Sequence, residues 1–456
     1  MPHPFLGLGF NSWSQKFSRG NVPAAVAAFL EYVTTSVSSF TLRSRNSYPN
    51  FQEYEVDWGD GSTETSTSNN LTHNYASAGE YTIKITPVEG SAYRPYFNSA
   101  LSDTSIASVS GTGGSQLGTN LEDAWSGATN ITSFSAIDTT GVTNFEYAWR
   151  FCNSLTSFPL INTSSGTNFF GTWSYCSSLT SFPLIDTSSG TDFIATWRDC
   201  TSLTSFPLID TANATDIGSA WYDCSGLTSF PLIDTSSVLY FTYTWRGNTG
   251  LTSFPLIDTS SGQDFTAAWA ACNSLTSFPL IDMSSATEVE YTWSGCTALT
   301  SFPAINLPNV FNFRSAWESC ESITSFPQID VSSGQDFQNA WYRCYALTSF
   351  PQLDFSSATR FYFAWHSTTS LTTFPANMFN TTGTLASNAF GHAWRDSSLS
   401  AQSIENILVS LDANGQSNIQ LGIDGGSNAA KTTWSAAANT AYTNLINKGW
   451  TINYNA

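Results

Sequence analysis

The chain has 456 residues, of which 11% are charged and 15% aromatic, and its formal net charge is −19. So high an aromatic content argues against disorder, because a disordered chain lacks apolar residues to bury. The acidic balance, with no basic stripe, repels phosphate backbones and excludes nucleic acid as a partner. No run of about 18 apolar residues occurs, so no membrane span is expected.

In chain order, residues 1–27 combine Pro, Gly, several aromatics and the cations Lys16 and Arg19, and read as an arm. They lack the charged, apolar and small-residue regions of a secretory signal. The protein is therefore expected to stay where it is made, or to leave inside a particle or by a signal-free route. The arm either anchors a larger assembly or packs on its own neighbour. Residues 28–97 read as a small β-sandwich: Tyr81, Ile83 and Ile85 alternate as in a half-buried strand, and Gly59 and Gly61 flank Asp60 in a tight turn. The stretch Tyr54-Glu55-Val56-Asp57-Trp58-Gly59-Asp60-Gly61, then His73-Asn74-Tyr75, then Gly79-Glu80-Tyr81 resembles the immunoglobulin-like PKD domain. That resemblance implies a spacer or docking module.

Residues 98–396 are dominated by a repeat. Trp recurs at 125, 149, 173, 197, 221, 245, 269, 293, 317, 341 and 365, always 24 residues apart. One unit reads F-x-x-[AT]-W-x-x-C-x-x-L-T-S-F-P-x-I-D-T-S-S-G-x-x. A unit of this length cannot bury its own apolar set, whereas stacked coils share one core. Propeller blades need about 40 to 50 residues, so a solenoid is expected. The LTSFPLI segment is predicted to be the stacking strand, the F-x-x-A-W segment one short helical turn, and Asp-Thr-Ser-Ser-Gly a turn. Trp149, Trp173, Trp197, Trp221, Phe158, Phe182 and the thiols Cys152, Cys176 and Cys200 are assigned to the core. The pattern A-W-x-x-C-x-x-L-x-x-F resembles BspA-type leucine-rich repeats, with Trp for Phe and Phe for Ile. The resemblance implies surface proteins that adhere to cells, matrix or other proteins, and such repeats also occur in bacteriophage virion proteins. The Pro that follows each LTSF departs from the family pattern.

Residues 397–456 break the period and read as an α/β cap. Ser400 caps a helix carrying Ile404, Ile407, Leu408 and Leu411 that ends near Asn414-Gly415. A strand at 419–423, a helix at 434–448 and a strand at 450–454 follow. The expected fold is mainly β with short helices: a leucine-rich-repeat solenoid of 24-residue coils, preceded by an immunoglobulin-like sandwich and closed by this cap.

Three ladders are candidate sites. The eight cysteines read as buried free thiols rather than disulfides or a metal site, since parallel side chains do not face one another and no C-x-x-C occurs. The Asp ladder (Asp186, Asp210, Asp234, Asp258, Asp282) reads first as turn capping, with calcium bridging and catalysis as lesser alternatives. The hydroxyl ladder Thr156-Ser157, Thr180-Ser181, Thr204-Ser205 and Thr228-Ser229 reads first as solvated strand positions with good β propensity; if the repeats bind a target, this is the expected strip, together with Leu160 and Leu184 and their later equivalents Gln328 and Gln352. A near-identical motif repeated along one strip favours avid binding to a repetitive target. His3, His73, His366 and His392 are too few for a conventional hydrolase, and no G-x-S-x-G, Walker A or H-E-x-x-H stretch is present. No enzyme, cofactor or metal is expected. The expected function is a structural and adhesive surface component of a bacteriophage virion, as tail fibre or capsid decoration. Its N-terminal region would meet other virion proteins and its repeats a host protein or glycan, with homo-oligomers open. The alternatives are an extracellular or cell-surface adhesin of BspA type and, behind it, a solenoid polysaccharide hydrolase.

Overall fold

The computed structural model describes residues 29–45, 53–88, 93–97, 105–112 and 117–456. The arm at 1–27 lies outside the described residues. Seven strands come first: β1 Phe29–Thr34, β2 Val37–Arg43, β3 Tyr54–Asp57, β4 Thr63–Ser66, β5 Asn70–Gly79, β6 Thr82–Pro87 and β7 Ile106–Thr112. They form two sheets, one ordered β4-β3-β6-β1-β7 and one pairing β2 with β5. Tyr32, Val56, Ile83 and Ile85 are buried from the first sheet, and Phe40 and Leu42 from β2. The Trp58-Gly59-Asp60-Gly61 turn is locked by side chains. His73 stacks on Trp58 at 4.9 Å and bonds Asp60 at 2.8 Å. The bonds from Ser62 and His73 hold the exposed Asp60 carboxyl well below the usual carboxylate range. Gly59 has φ +80°, and a Cβ there would sit 2.5 Å from the Thr82 carbonyl oxygen, so only glycine fits.

The first sheet runs on into the repeats. A short strand β8 at Ser133–Phe134 pairs in parallel with β7, and Arg94 reaches Asn120 at 2.8 Å and Arg45 reaches Glu122 at 2.6 Å. Beyond this point residues 24 apart sit on neighbouring coils. Trp149 stacks on Trp173 at 5.6 Å with planes 2° apart, and the same column continues from Trp125 to Trp365 and on to Trp394. The coils are closer on one side than on the other. Phe rings four residues before the Trp stack at 5.3 Å (Phe145 on Phe169) or 4.8 Å (Phe241 on Phe265), whereas those nine after it stack wider along most of the column, at 5.9 Å (Phe158 on Phe182), 6.1 Å (Phe206 on Phe230) and 6.4 Å (Phe278 on Phe302).

Two local expectations are corrected. Only Ser133–Phe134 of the LTSF segments forms a strand; elsewhere pairing shrinks to isolated bridges such as Ser157 to Ser181 and Ser325 to Ser349. The proline is the cause. It has no N–H to give the ladder, and the chain then folds back, so that Ile185 N–H bonds the Pro183 carbonyl at 3.0 Å and Ile209 the Pro207 carbonyl at 3.0 Å. Nor is there a helical turn before each Trp. Among described residues 117–396 no helix occurs, and alternate N–H groups go two ways. Trp149 N–H bonds Thr172 on the next coil at 2.9 Å, while Ala148 N–H bonds Phe145 within its own coil at 3.0 Å. This alternation places residues two before and two after each Trp in the left-handed region, for instance Tyr147 at +54° and Phe151 at +61°. Left-handed backbone costs a non-glycine residue roughly 1–2 kcal/mol, here offset by the inter-coil bonds. The continuous coil-to-coil ladder therefore lies five residues before each Trp, bridging Asn144, Asn168, Asp192, Asp216, Tyr240 and Asp264 in turn.

The chain ends in α1 (Ala401–Asn414), β9 (Gln420–Ile423), α2 (Ala436–Asn447) and β10 (Thr451–Tyr454). Ser400 Oγ accepts the Ser403 N–H, and Gly415 closes α1 at φ +82°. Trp394 N–H bonds Gly422 of β9, so β9 extends the ladder of the Trp segments and β10 adds to it in parallel.

Candidate functional site

The strip expected to bind is assembled on one side of the coils. Thr156, Ser157, Thr180, Ser181, Thr204, Ser205, Thr228 and Ser229 are all exposed, as are Gln328 and Gln352. Leu160 and Leu184 are 64% and 61% exposed. The Thr180 and Thr204 protons are committed, however: Thr180 Oγ1 donates to the Thr156 carbonyl at 3.1 Å and Thr204 Oγ1 to that of Thr180 at 3.3 Å. These hydroxyls offer a ligand only acceptor lone pairs. The core assignments are buried throughout, Trp149, Trp173, Trp197 and Trp221 at 0% and Phe158 and Phe182 at 6% and 8%. Cys152, Cys176 and Cys200 are free and buried, and Cys176 Sγ donates to the Trp149 carbonyl at 3.1 Å. Burial pushes the Cys176 thiol up to about 12, so it is inert at neutral pH.

The Asp ladder caps its own turns. Asp186 accepts from the Ser188 N–H at 3.1 Å and its Oγ at 2.7 Å, and Asp258 does the same with Ser260. The next residue ties coils together, Thr187 Oγ1 donating to the Asp210 carbonyl at 2.6 Å. Serine hydrogen bonds hold the Asp186, Asp234 and Asp258 carboxyls below their ordinary range. A second carboxylate ladder, five residues before the Trp column, shifts the opposite way: burial pushes Asp192, Asp216 and Glu288 up. A carboxyl raised by folding makes its charged form unfavourable, so stability is gained as pH falls from neutral through the raised values. A carboxyl lowered by folding contributes stability above its ordinary pKa that is lost on further acidification. The melting temperature is therefore expected to rise from pH 7 to a maximum at about pH 4–6, around and just above ordinary carboxylate values, and then to fall. A melting temperature that only falls from pH 7 downward would refute the opposed shifts of the two ladders.

The richer surface is the one that repeat reading leaves as unspecified positions. All seven cations between residues 121 and 396 (Arg150, Arg198, Arg246, Arg314, Arg343, Arg360 and Arg395) lie from five before to two after a Trp of the column. Eight of the nine tyrosines in that range lie there too, Tyr345 being the exception. This is the closely spaced side, next to the continuous ladder. Arginines and rings alternate along it: Arg150 sits 4.7 Å from Tyr147, and Arg198 lies 5.8 Å from Tyr175 and 4.5 Å from Tyr222. Tyr and Arg are the residues that most often carry binding energy at interfaces. The left-handed positions found above display Tyr147, Phe151, Tyr175 and Tyr243, a backbone state that tends to gather at functional sites.

No catalytic relay is assembled near the two C-terminal histidines. His366 Nδ1 bonds Ser367 Oγ at 2.7 Å, but its Nε2 stands 3.9 Å from Asp396, beyond hydrogen-bond reach. Among the described residues no group of three or more His, Cys, Asp or Glu is arranged to hold a metal ion, and no helix is long and apolar enough to cross a membrane.

No curated protein matches the sequence. Among solved structures, a leucine-rich repeat protein from Bacteroides ovatus is similar at 12% identity and a TM-score of 0.34, over 81% of this chain and 97% of that one. A leucine-rich repeat protein of Leptospira interrogans is similar at 11% identity and a TM-score of 0.20, over 75% and 87%. The family model that matches is that of the PKD domain, over residues 21–91, so the N-terminal part of the chain carries a PKD domain.

Proposed function

We propose that this is a non-enzymatic structural and adhesive repeat protein that binds its target through the arginine–tyrosine face of the Trp segments. The observation that carries the reading is the concentration of every cation of residues 121–396 on that one face of a chain of charge −19. Residues on this face differ from one unit to the next, whereas LTSFPLI recurs unchanged in six successive units, from Leu155, Leu179, Leu203, Leu227, Leu251 and Leu275. Scaffold positions repeat because each must fit its copy on the next coil; ligand-facing positions are free to differ. In this reading the PKD domain spaces or docks the protein within a larger assembly, residues 98–396 are the solenoid and residues 397–456 close its end. The setting is the surface of a bacteriophage virion, with a cell-surface adhesin as the alternative.

A second reading keeps the opposite strip as a site for a repetitive target, favoured by six leucines in a row, Leu160 to Leu280, each 59–64% exposed. Binding of labelled protein to cells of the source culture separates the two. The pair Arg198→Ala with Tyr222→Ala is expected to weaken binding at least about tenfold. The pair Leu184→Gln with Leu208→Gln, which copies what the chain itself carries at Gln328 and Gln352, should leave it unchanged. The reverse pattern would move the site to the leucine strip. Immunogold labelling with an antibody to the PKD domain would place gold on virions; gold on cells beside bare particles would give the adhesin.

A further inference from the structure

The Trp-segment face is dented at one coil. Three residues before successive Trp residues stand Glu146, Phe170, Ile194, then Gly218, then Thr242 and Thr266. The absent side chain of Gly218 leaves a cavity of about 330 Å³ lined by Asp216, Ser219, Tyr240, Thr242 and Tyr243, with Ile194 on the preceding coil. Tyr240 and Tyr243 are 43% and 36% exposed. Tyr240 is also the one aromatic on the bridging ladder, where other coils carry Asn, Asp, Glu or Arg.

The cavity holds an uncompensated negative charge. Asp216 Oδ1 accepts the Gly218 N–H at 2.8 Å, and no Arg or Lys pairs with this carboxylate among the described residues. Its charged neighbours along the ladder are Asp192 and Asp264, both acidic; burial pushes its carboxyl up, and these two add to the shift. Arg246 reaches one ring of the dent, 5.6 Å from Tyr243 and 5.8 Å from Tyr222, and makes no ion pair with Asp216. A carboxylate beside two tyrosine rings attracts a cation through both charge and ring quadrupole. The chain already uses this chemistry internally: the Lys431 ammonium lies 3.6 Å from the Tyr442 ring, 4.8 Å from Tyr454 and 6.0 Å from Trp434.

We propose that the dent at Gly218 is a recognition pocket for a lysine side chain of a protein partner. Its primary ammonium would rest against Tyr240 and Tyr243 and donate to Asp216 and to the hydroxyls of Ser219 and Thr242. A primary ammonium fits better than a quaternary one because three oxygens there can accept N–H groups, which a quaternary centre lacks. The assignment rests on the Trp-segment face being the binding face.

Calorimetric titration of the full chain with Nα-acetyl-lysine methylamide tests it. Saturable binding is expected, with the norleucine analogue, which lacks the ammonium, not binding. Asp216→Asn should weaken binding about tenfold or more, the loss of one charge-assisted bond. Gly218→Thr should abolish it while far-ultraviolet dichroism stays unchanged, since threonine already stands in this row at 242 and 266. Equal binding of the norleucine analogue, indifference to both substitutions, or tighter binding of tetramethylammonium would each overturn the lysine assignment. The cell-binding assay keeps the two readings apart. If the Arg198 and Tyr222 pair abolishes cell binding while lysine methylamide does not bind, only the pocket falls. If lysine methylamide binds as expected and no face substitution affects cell binding, the adhesive role of the face falls and the pocket stands.

Discussion

Trp221→Ala is expected to destabilise the protein by about 3–5 kcal/mol, the range for removing a large buried aromatic. Trp221 is fully buried, stacked between Trp197 at 5.4 Å and Trp245 at 6.0 Å, with Phe206 and Phe230 edge-on at 5.2 and 4.8 Å. Because each coil is held mainly by its neighbours, the loss spreads to the coils on either side. Trp221→Phe should cost much less. It keeps a ring in the column and removes an indole N–H that has no hydrogen-bond acceptor, a condition shared by every Trp of the column. Denaturant unfolding followed by far-ultraviolet dichroism measures both. Equal losses from the two substitutions would mean that the column depends on the indole itself rather than on filled volume.

The second large effect has the opposite sign. Asn248 occupies the cysteine position of its coil, is 0% exposed, and neither its Oδ1 nor its Nδ2 has a hydrogen-bond partner. Each buried polar group left unpaired costs roughly 1–3 kcal/mol. Asn248→Cys should restore the ladder between Cys224 and Cys272, its thiol donating to the Trp221 carbonyl as Cys176 does to Trp149 and Cys200 to Trp173. A gain of about 1–3 kcal/mol is expected, read as a raised denaturation midpoint. A midpoint at or below that of the native chain would show that the amide is satisfied in solution, as by a buried water. Asp186 differs: that side chain is polar at a turn, where backbone N–H groups await an acceptor, whereas Asn248 is fully buried in the cysteine row, 24 residues from Cys224 and from Cys272.

How much of this was legible in the sequence differs from position to position. The residues that recur were readable. Trp149 and Phe158 come back every 24 residues, and Cys152 in most coils, because stacked coils impose one environment on each position, and their burial follows from that repetition. Asp186 was readable as a cap for the same reason, with Ser188 two residues on, as Ser236 follows Asp234 and Ser260 follows Asp258. The Trp-Gly-Asp-Gly turn was readable because Gly59 has no substitute at φ +80°.

What only the tertiary structure decided is where those coils bond and what lies between the recurring residues. LTSFPLI has the composition of a strand, but a strand needs donors on its neighbour, and a proline such as Pro183 or Pro207 withholds one on every coil after the first. The ladder instead formed at Asn144, Asp192 and Asp216, where the bonds run to a residue 23 to 25 positions away and no local pattern announces them. That choice turned Arg198, Tyr222 and Tyr243 onto a common face and left Gly218 as a gap between Ile194 and Thr242. A repeat pattern records what neighbouring coils share and so determined the core of this protein; the face on which the coils differ exists only once they are stacked.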